Sequence, residues 1–591
     1  MARGGVIVTD GNERSTLAVT RSLGRRGMPV YVGAETPMSL AGSSRYCTQS
    51  FVYPSPWRDP DGYLASILDA VARWDADAMF PMTDIAMEIV GEHQDRIRQS
   101  VALPIPKIEQ YHQLSDKYQL TAWANDQGIP VPQTLFVSDG RIDGLIDDIH
   151  EWPVVVKPGR SLLKMDDAWR KSEVLFARDA DDLRRIYYEH WFLQFPSMIQ
   201  QLIAGQGEGV FGLFRDGDPK VLFAHRRLRE RPPSGGVSVF RESIELPEPM
   251  TDYATRIMRW AGWNGIAMVE FKVETQSKIP FLMEVNGRFW GSLQLAIDAG
   301  VDFPMLLYRE AMGEDSHPQA NAYDAGTKSR WWLGDVDHLL ARLRNPAAER
   351  SLAPGASSRG NVILSLMNVF APRTKNEVFR FSDLAPGILE LRKYSSSAVA
   401  AVLRKIGNRV RHRRKRISLA KSDQRLRAGL DVQELSGRFL ADAKRILVLC
   451  KGNICRSPFA DKYLAQASAQ KKLGLEFVSA GLEAELDKEA YPLARTVARD
   501  FGVDLDGHRT QLLSHEMVEA ADIILVMEPE QETQLERRFP EARRKMFLLG
   551  HFAKEAPSTE IADPYGGTAQ DFAECYTFMV SACDGFLSRF E

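Results

Sequence analysis

Short apolar runs recur along the chain, each followed by turn residues and then by apolar positions at helical spacing. The first is Gly5-Val6-Ile7-Val8-Thr9, with Asp10-Gly11-Asn12 after it and a helical pattern through Leu17, Val19, Leu23 and Met28. Val30-Tyr31-Val32 is the next strand. This rhythm predicts a parallel sheet with crossover helices. It continues to about residue 110, with a later strand at Ala78-Met79-Phe80-Pro81. From about 111 to 315 the strands lengthen, at 154–157, 198–203, 210–215, 221–225, 268–273 and 281–285, and a mixed sheet fits better than a purely parallel one. Residues 316–440 read as a connecting region that is partly folded, since Trp331, Trp332 and Leu333 need burial and 335–343 is helix-like. A new apolar strand begins at Arg445-Ile446-Leu447-Val448-Leu449, and the alternation restarts and runs to Glu591. The expected units are 1–110, 111–315, 316–440 and 441–591.

Composition narrows the function classes. The 591 residues suit roughly four units at about 150 residues each. A net charge of −3, from 75 Lys and Arg against 78 Asp and Glu, argues against a globally basic nucleic-acid binder, so no specific nucleic acid is expected. One local exception is 404–416, with eight Lys or Arg in thirteen positions. It reads as a solvated basic linker or as a contact for an anionic membrane surface or polyanion. Five cysteines exclude a disulfide scaffold and fit a reducing compartment. No apolar run approaches the roughly 20 residues of a membrane span. The first residues read as a strand rather than a signal-peptide core, so the expected location is cytoplasmic.

Strand 446–449 runs straight into Cys450-Lys451-Gly452-Asn453-Ile454-Cys455-Arg456-Ser457-Pro458, and a helical stretch follows. Strand, short loop and helix collect backbone N–H groups around an anion. Cys450 and Arg456 can then flank one phosphate, with amides, helix terminus and guanidinium favouring a sulfur anion. Arg456 can grip two oxygens at once, which a lysine could not. Gly452 and Asn453 tolerate left-handed backbone, and Ser457 can donate to the sulfur.

This string resembles the signature of the low-molecular-weight protein tyrosine phosphatase family, and the resemblance extends over about 444–591. It implies a four-stranded parallel α/β domain needing no cofactor, with Cys450 as nucleophile and Arg456 as charge stabiliser. Asp563, in Asp563-Pro564-Tyr565-Gly566-Gly567, is then the general acid. Ser479 would support the phosphate loop, and His508 would support it through Asn453. Cys455 resembles the family's redox partner. Cys575 and Cys583 sit on a helical pattern with bulky neighbours, which suits core packing. No aromatic stands in 482–490, where many members have a pocket wall; Tyr565 is a candidate wall. The implied substrate is a phosphotyrosine protein or another phosphomonoester.

In the N-terminal half, Lys157 ends an apolar strand, and Glu270 and Glu284 lie inside two others. Buried carboxylates need a partner or a cation, and two acids with Asn286 suit Mg2+ bridged to nucleotide phosphates. The constellation resembles the ATP-grasp superfamily over about 1–315, a pre-ATP-grasp α/β domain followed by an α+β ATP-grasp fold. The resemblance implies phosphate contacts from Lys117 and Lys157, and an adenine hinge at Gln201, Leu202 and Ile203. It puts Glu208 on the ribose, Glu270, Glu284 and Asn286 on magnesium, and Arg288 on phosphate or substrate. The charged loop at 229–236 suits a cover over the phosphates. Likeness to carboxylate–amine ligases implies ATP, Mg2+, a small carboxylate and an amine. The expectation is a bifunctional enzyme, a ligase-like half fused to a cysteine phosphatase. Two other readings stay open: one half as a non-catalytic nucleotide- or phosphate-binding module, or arsenate reduction by the C-terminal half. The ligase substrates, any coupling between the halves and the oligomeric state are not legible in the residues.

Overall fold

The computed structural model describes residues 4–142, 144–165, 168–233, 235–314, 322–344, 374–395, 443–553 and 559–591. The basic run at 404–416 and Ser234 of the charged loop lie outside them. The chain divides into two compact units, Met1–Val399 and Ala400–Glu591.

The first unit opens with a four-stranded parallel sheet in the order Gln49–Val52, Val30–Ala34, Val6–Val8, Ala78–Phe80. Val6, Ile7 and Val8 are all fully buried, because crossover helices cover both faces of the sheet. Two more sheets follow, besides a two-stranded ribbon of Leu162–Met165 and Ala168–Lys171. One is antiparallel, in the order Thr134–Val137, Ser197–Gln201, Val154–Pro158, Leu175–Ala177. The other has seven strands, ordered Pro280–Asn286, Gly265–Glu274, Gly205–Arg215, Asp218–Arg231, Val237–Ile244, Lys328–Arg330 and Thr374–Asn376. Residues of both line one cavity of about 730 Å3.

The two outermost strands of the large sheet come from the span expected to connect the halves. Leu333 is buried there, at the start of a helix over Trp332–Arg344. Segment 374–395 is stitched in by charge. Arg21, on the helix Arg14–Gly24, is 2% exposed; its guanidinium donates to Asp383 Oδ2 at 2.8 Å and to the carbonyls of Glu377, Val378 and Asp383. Glu377 is 1% exposed and accepts from Arg14 and from the fully buried Arg241.

The second unit is a four-stranded parallel sheet in the order Glu476–Gly481, Arg445–Cys450, Ile523–Val526, Met546–Leu548. Period-two alternation divides its residues between two cores. Ile446, Val448 and Leu525 enter the one formed with the helices Arg456–Gln470 and Ala569–Leu587; Leu447, Leu449 and Ile524 enter the other. Phe459 and Tyr576 stack between those helices with centroids 3.8 Å apart. Thr568 and Asp571 form a capping box that starts the last helix.

Removing one member of a buried ion pair leaves the other charge uncompensated. Glu377→Ala is therefore expected to destabilise the first unit by about 3–5 kcal/mol and to expose segment 374–395 to protease. Denaturant unfolding and limited proteolysis of the variant measure this; unchanged stability contradicts it.

Candidate functional site

The large cavity of the first unit gathers most of the expected nucleotide residues. Lys157 lines it, with Nζ 3.9 Å from Met283 Sδ. Burial lowers the Lys157 pKa to about 8, against the pull of Glu284. Glu270 and Glu284 are register partners on adjacent strands. Burial pushes Glu270 up to about 7, although the guanidinium of Arg227 donates to it. Burial also works against charge on Glu284, but Lys117 at 3.6 Å, the Asn286 amide and Lys157 outweigh it and hold the carboxyl below its ordinary value. Lys117 Nζ donates to Ser161 Oγ at 2.6 Å. Gln201, Leu202 and Ile203 line the same cavity, and the Gln201 N–H donates to the Gln133 carbonyl at 2.9 Å.

Arg288 lines the same cavity, and its guanidinium pairs with Asp84, Nε to Oδ1 and NH2 to Oδ2, both at 2.7 Å. One expected contact stands elsewhere. Gly207, not Glu208, lines the cavity, since neighbouring strand residues face opposite sides. Arg227, which sequence reasoning passed over, is the cation that meets Glu270. Strand alternation over 218–231 was the signal that could have found it.

Among the described residues no cluster of three or more His, Cys, Asp or Glu could by itself hold a metal. Two carboxylates and the Asn286 amide oxygen still make an all-oxygen set that suits a hard divalent ion shared with phosphates.

In the second unit the strand ending at Cys450 turns through 451–455 into the helix Arg456–Gln470. Asn453 makes the turn in left-handed backbone, φ +55°. Its N–H donates to Cys450 Sγ at 3.2 Å, and Ser457 Oγ lies 3.0 Å from the sulfur. The Asn453 side chain spans the loop, Nδ2 donating to Ser457 Oγ at 3.0 Å and Oδ1 accepting from the Gln511 N–H at 2.9 Å. His508 Nε2 lies 2.8 Å from the Asn453 carbonyl, and burial lowers the His508 pKa. A carbonyl only accepts, so Nε2 carries the proton of a neutral ring.

Arg456 is 1% exposed. Burial opposes its charge, but Cys450, Asp563 and Glu528 outweigh burial and raise its pKa. NH1 donates to Glu528 Oε1 and to the Ile561 carbonyl, and NH2 lies 2.7 Å from Asp563 Oδ2. Nε is buried with no acceptor among the described residues. A buried sulfur, amides of a helix start and an unpartnered guanidinium N–H together form a receptor for a tetrahedral oxyanion.

Comparison with known proteins gives this arrangement its lineage. Residues 445–591 match the family model "Low molecular weight phosphotyrosine protein phosphatase". The low molecular weight protein-tyrosine-phosphatase Wzb of Escherichia coli K12 is 39% identical over 134 residues, 23% of this chain and 86% of that protein. The chain belongs to the low molecular weight protein-tyrosine-phosphatase family. A crystal structure of the Erwinia amylovora tyrosine phosphatase AmsI is 35% identical, covering 25% of this chain and 92% of that one at a TM-score of 0.23. Residues 212–332 match a second family model, "ATP-grasp in the biosynthetic pathway with Ter operon". Biotin carboxylase from Campylobacter jejuni, solved with β,γ-ATP, is 15% identical over 55% of this chain and 74% of that one, at a TM-score of 0.45. The ATP-grasp match thus falls on 212–332 of the first unit, and the phosphatase match on 445–591 of the second.

Within the phosphatase domain, three placements refine the sequence reading. Ser479, expected to brace the phosphate loop, donates instead to Asp461 Oδ2 at 3.0 Å. Ser479 pairs in register with Val448 and so shares the face covered by the helix Arg456–Gln470, where Asp461 lies. Tyr565 is exposed and tilts over the buried Tyr491 with centroids 5.1 Å apart, which forms an aromatic wall. Glu528 was missed; it follows the strand Ile523–Val526, and only its place beside Arg456 reveals it. Cys583 is fully buried, and Cys575 lies against Met579.

Left-handed backbone costs alanine about 1–2 kcal/mol and glycine almost nothing. Asn453→Gly loses only the side-chain bridge, whereas Asn453→Ala loses the bridge and strains the loop. Phosphatase kcat/KM is expected to fall further in Asn453→Ala, by about tenfold relative to Asn453→Gly. The reverse order contradicts the loop geometry.

Proposed function

We propose that the phosphatase domain hydrolyses phosphotyrosine in proteins through a phosphocysteine. The buried Nε of Arg456, without an acceptor among the described residues, is the observation that carries this reading. The Cys450 sulfur attacks phosphorus, and the loop amides with Arg456 hold the equatorial oxygens. Asp563 protonates the phenol oxygen as the P–O bond breaks, and then takes a proton from the water that releases phosphate. The aromatic wall of Tyr565 over Tyr491 favours an aryl phosphate.

For the ATP-grasp half we infer a ligase that joins a small carboxylate to an amine through an acyl phosphate. Glu270, Glu284 and Asn286 would hold Mg2+, with Arg227 giving up Glu270, and such an ion would neutralise phosphate charge there. Lys157 and Lys117 would meet the phosphate oxygens, and 201–203 the adenine. Five free cysteines and the need for ATP suit the cytoplasm. No helix among the described residues is long and apolar enough to cross a membrane.

Cys450→Ser is expected to abolish hydrolysis of p-nitrophenyl phosphate. Asp563→Ala should slow phenyl phosphate by about 10²–10⁴-fold and p-nitrophenyl phosphate much less, because its leaving group needs little protonation. Steady-state rates on the two substrates test both, and equal losses in Asp563→Ala contradict the acid role.

The titrations of two cavity residues predict a window for nucleotide binding. Glu270, raised to about 7, is protonated below that value, so Mg2+-dependent binding should weaken as pH falls through it. Lys157, lowered to about 8, loses its charge above that value, so binding should weaken again as pH rises through it. Titration with a fluorescent ATP analogue should show a maximum between these values. Lys157→Arg should remove the alkaline limb. A flat profile contradicts the assignment.

A further inference from the structure

A second cavity, of about 520 Å3, adjoins the nucleotide cavity and shares Glu13, Arg14 and Val237 with it. Its far wall is the helix over 385–395, outside the stretch that carries the ATP-grasp resemblance. Its cations are all engaged. Arg14 NH1 donates to Glu377 Oε2 at 3.0 Å while its guanidinium lies 4.1 Å over the Trp331 ring. Arg231 pairs with Asp337 at 3.1 Å, and Lys393 Nζ donates to Asn12 Oδ1 at 3.0 Å. The carboxylates are not matched in the same way. Glu390 Oε1 accepts from Trp331 Nε1 at 2.8 Å, but Glu390 Oε2 is buried with no donor among the described residues. Glu13 is exposed at the mouth shared by both cavities.

A buried acceptor without a donor is costly, and a bound N–H would remove that cost. The unmet demand here is therefore for a cationic donor. Leu40, Val237, Leu389 and the Trp331 ring supply apolar wall around it.

We propose that this second cavity seats the amine co-substrate of the ATP-grasp half, a primary amine on an apolar body, and that Glu390 accepts a proton from its ammonium group. The proposal rests on the ligase reading above. In the step, one N–H bond of the ammonium breaks and the proton passes to Glu390 Oε2. The nitrogen keeps the electron pair and attacks the carbonyl carbon of the acyl phosphate. The C–N bond forms, the C–O bond to the phosphoryl group breaks, and phosphate leaves with the electrons of that C–O bond and takes up the second proton that the nitrogen sheds to become the amide. Burial pushes Glu390 up to about 7, against the hydrogen bond from Trp331 and the charge of Arg14; Glu377 adds to the rise. Glu13, Arg231 and Lys393 line the same cavity as Arg14, so charges of both signs surround Glu390, which exchanges a proton near neutrality.

The test uses the full chain and phenethylamine as probe, followed by calorimetry with ATP and Mg2+ present. Phenethylamine should bind the wild type and bind Glu390→Gln at least tenfold more weakly. Wild-type affinity should fall as pH drops through about 7, and the Glu390→Gln affinity should stay flat. ATP-analogue binding, measured in parallel, should be equal in the two proteins. Absent amine binding, equal amine binding by both proteins, or tighter binding of 3-phenylpropionate than of phenethylamine overturns the assignment. If ATP analogue binds normally in that case, the ligase reading stands without this chamber. If the wild type fails to bind ATP, the ligase reading fails by itself.

Discussion

A guanidinium as deeply buried as that of Arg456 stays charged only where anions surround it. In the phosphatase domain Glu528, Asp563 and the Cys450 sulfur do this, and the surrounding loop is arranged to keep them there. Asn453 closes the loop in left-handed backbone, His508 holds its carbonyl, and Ser457 faces the sulfur. Each of those contacts fixes the position of a donor or acceptor of the loop. The strand and helix on either side follow from this requirement. A flexible connection could not keep a buried cation and a buried sulfur at fixed separation while leaving room for an anion.

Buried charge organises the ATP-grasp half as well, in two different ways. Some pairs are mutual and closed: Arg288 with Asp84, and Arg21 with Asp383, join elements distant in sequence and leave little capacity for a ligand. Others are open, because one partner keeps unmet demand. Glu270 is held by Arg227 yet remains raised by burial, and Lys157 is lowered by burial despite Glu284. Closed pairs build the fold, and on the proposed reading the open ones are where a nucleotide or ion would lower the free energy. That distinction separates Arg288 from Arg227, two arginines that look alike as letters.

It also explains what could be read from the sequence. The strands at 6–8, 30–34 and 445–450 were legible because apolar runs bounded by turn residues leave little choice. The loop at 450–458 was legible because its chemistry is contiguous along the chain. Glu528 and Arg227 were not, since each acts only across space, on a partner 72 and 43 residues away. Ser479 and Glu208 failed for a related reason: a strand residue serves one face, and its neighbours decide which. Segment 374–395 was hidden by length. It supplies only a three-residue edge strand, and its place comes from Glu377 and Asp383 meeting arginines more than 100 residues away.

The ion pair between Arg456 and Asp563 has a consequence for the order of events in phosphate transfer. NH2 now faces Asp563, yet a bound phosphate would demand the same N–H. The two anions compete for one donor, and the dianion, held by the loop amides as well, has more contacts to offer. Asp563 is on a loop and partly exposed, so it can yield without disturbing the core, whereas Glu528 is anchored behind Arg456 with Gln531 against it. On the proposed mechanism, displacement would free the carboxyl that has to act as the acid and leave in place Glu528, which holds the guanidinium. Substrate arrival and release of the acid would then be a single exchange of partners at Arg456.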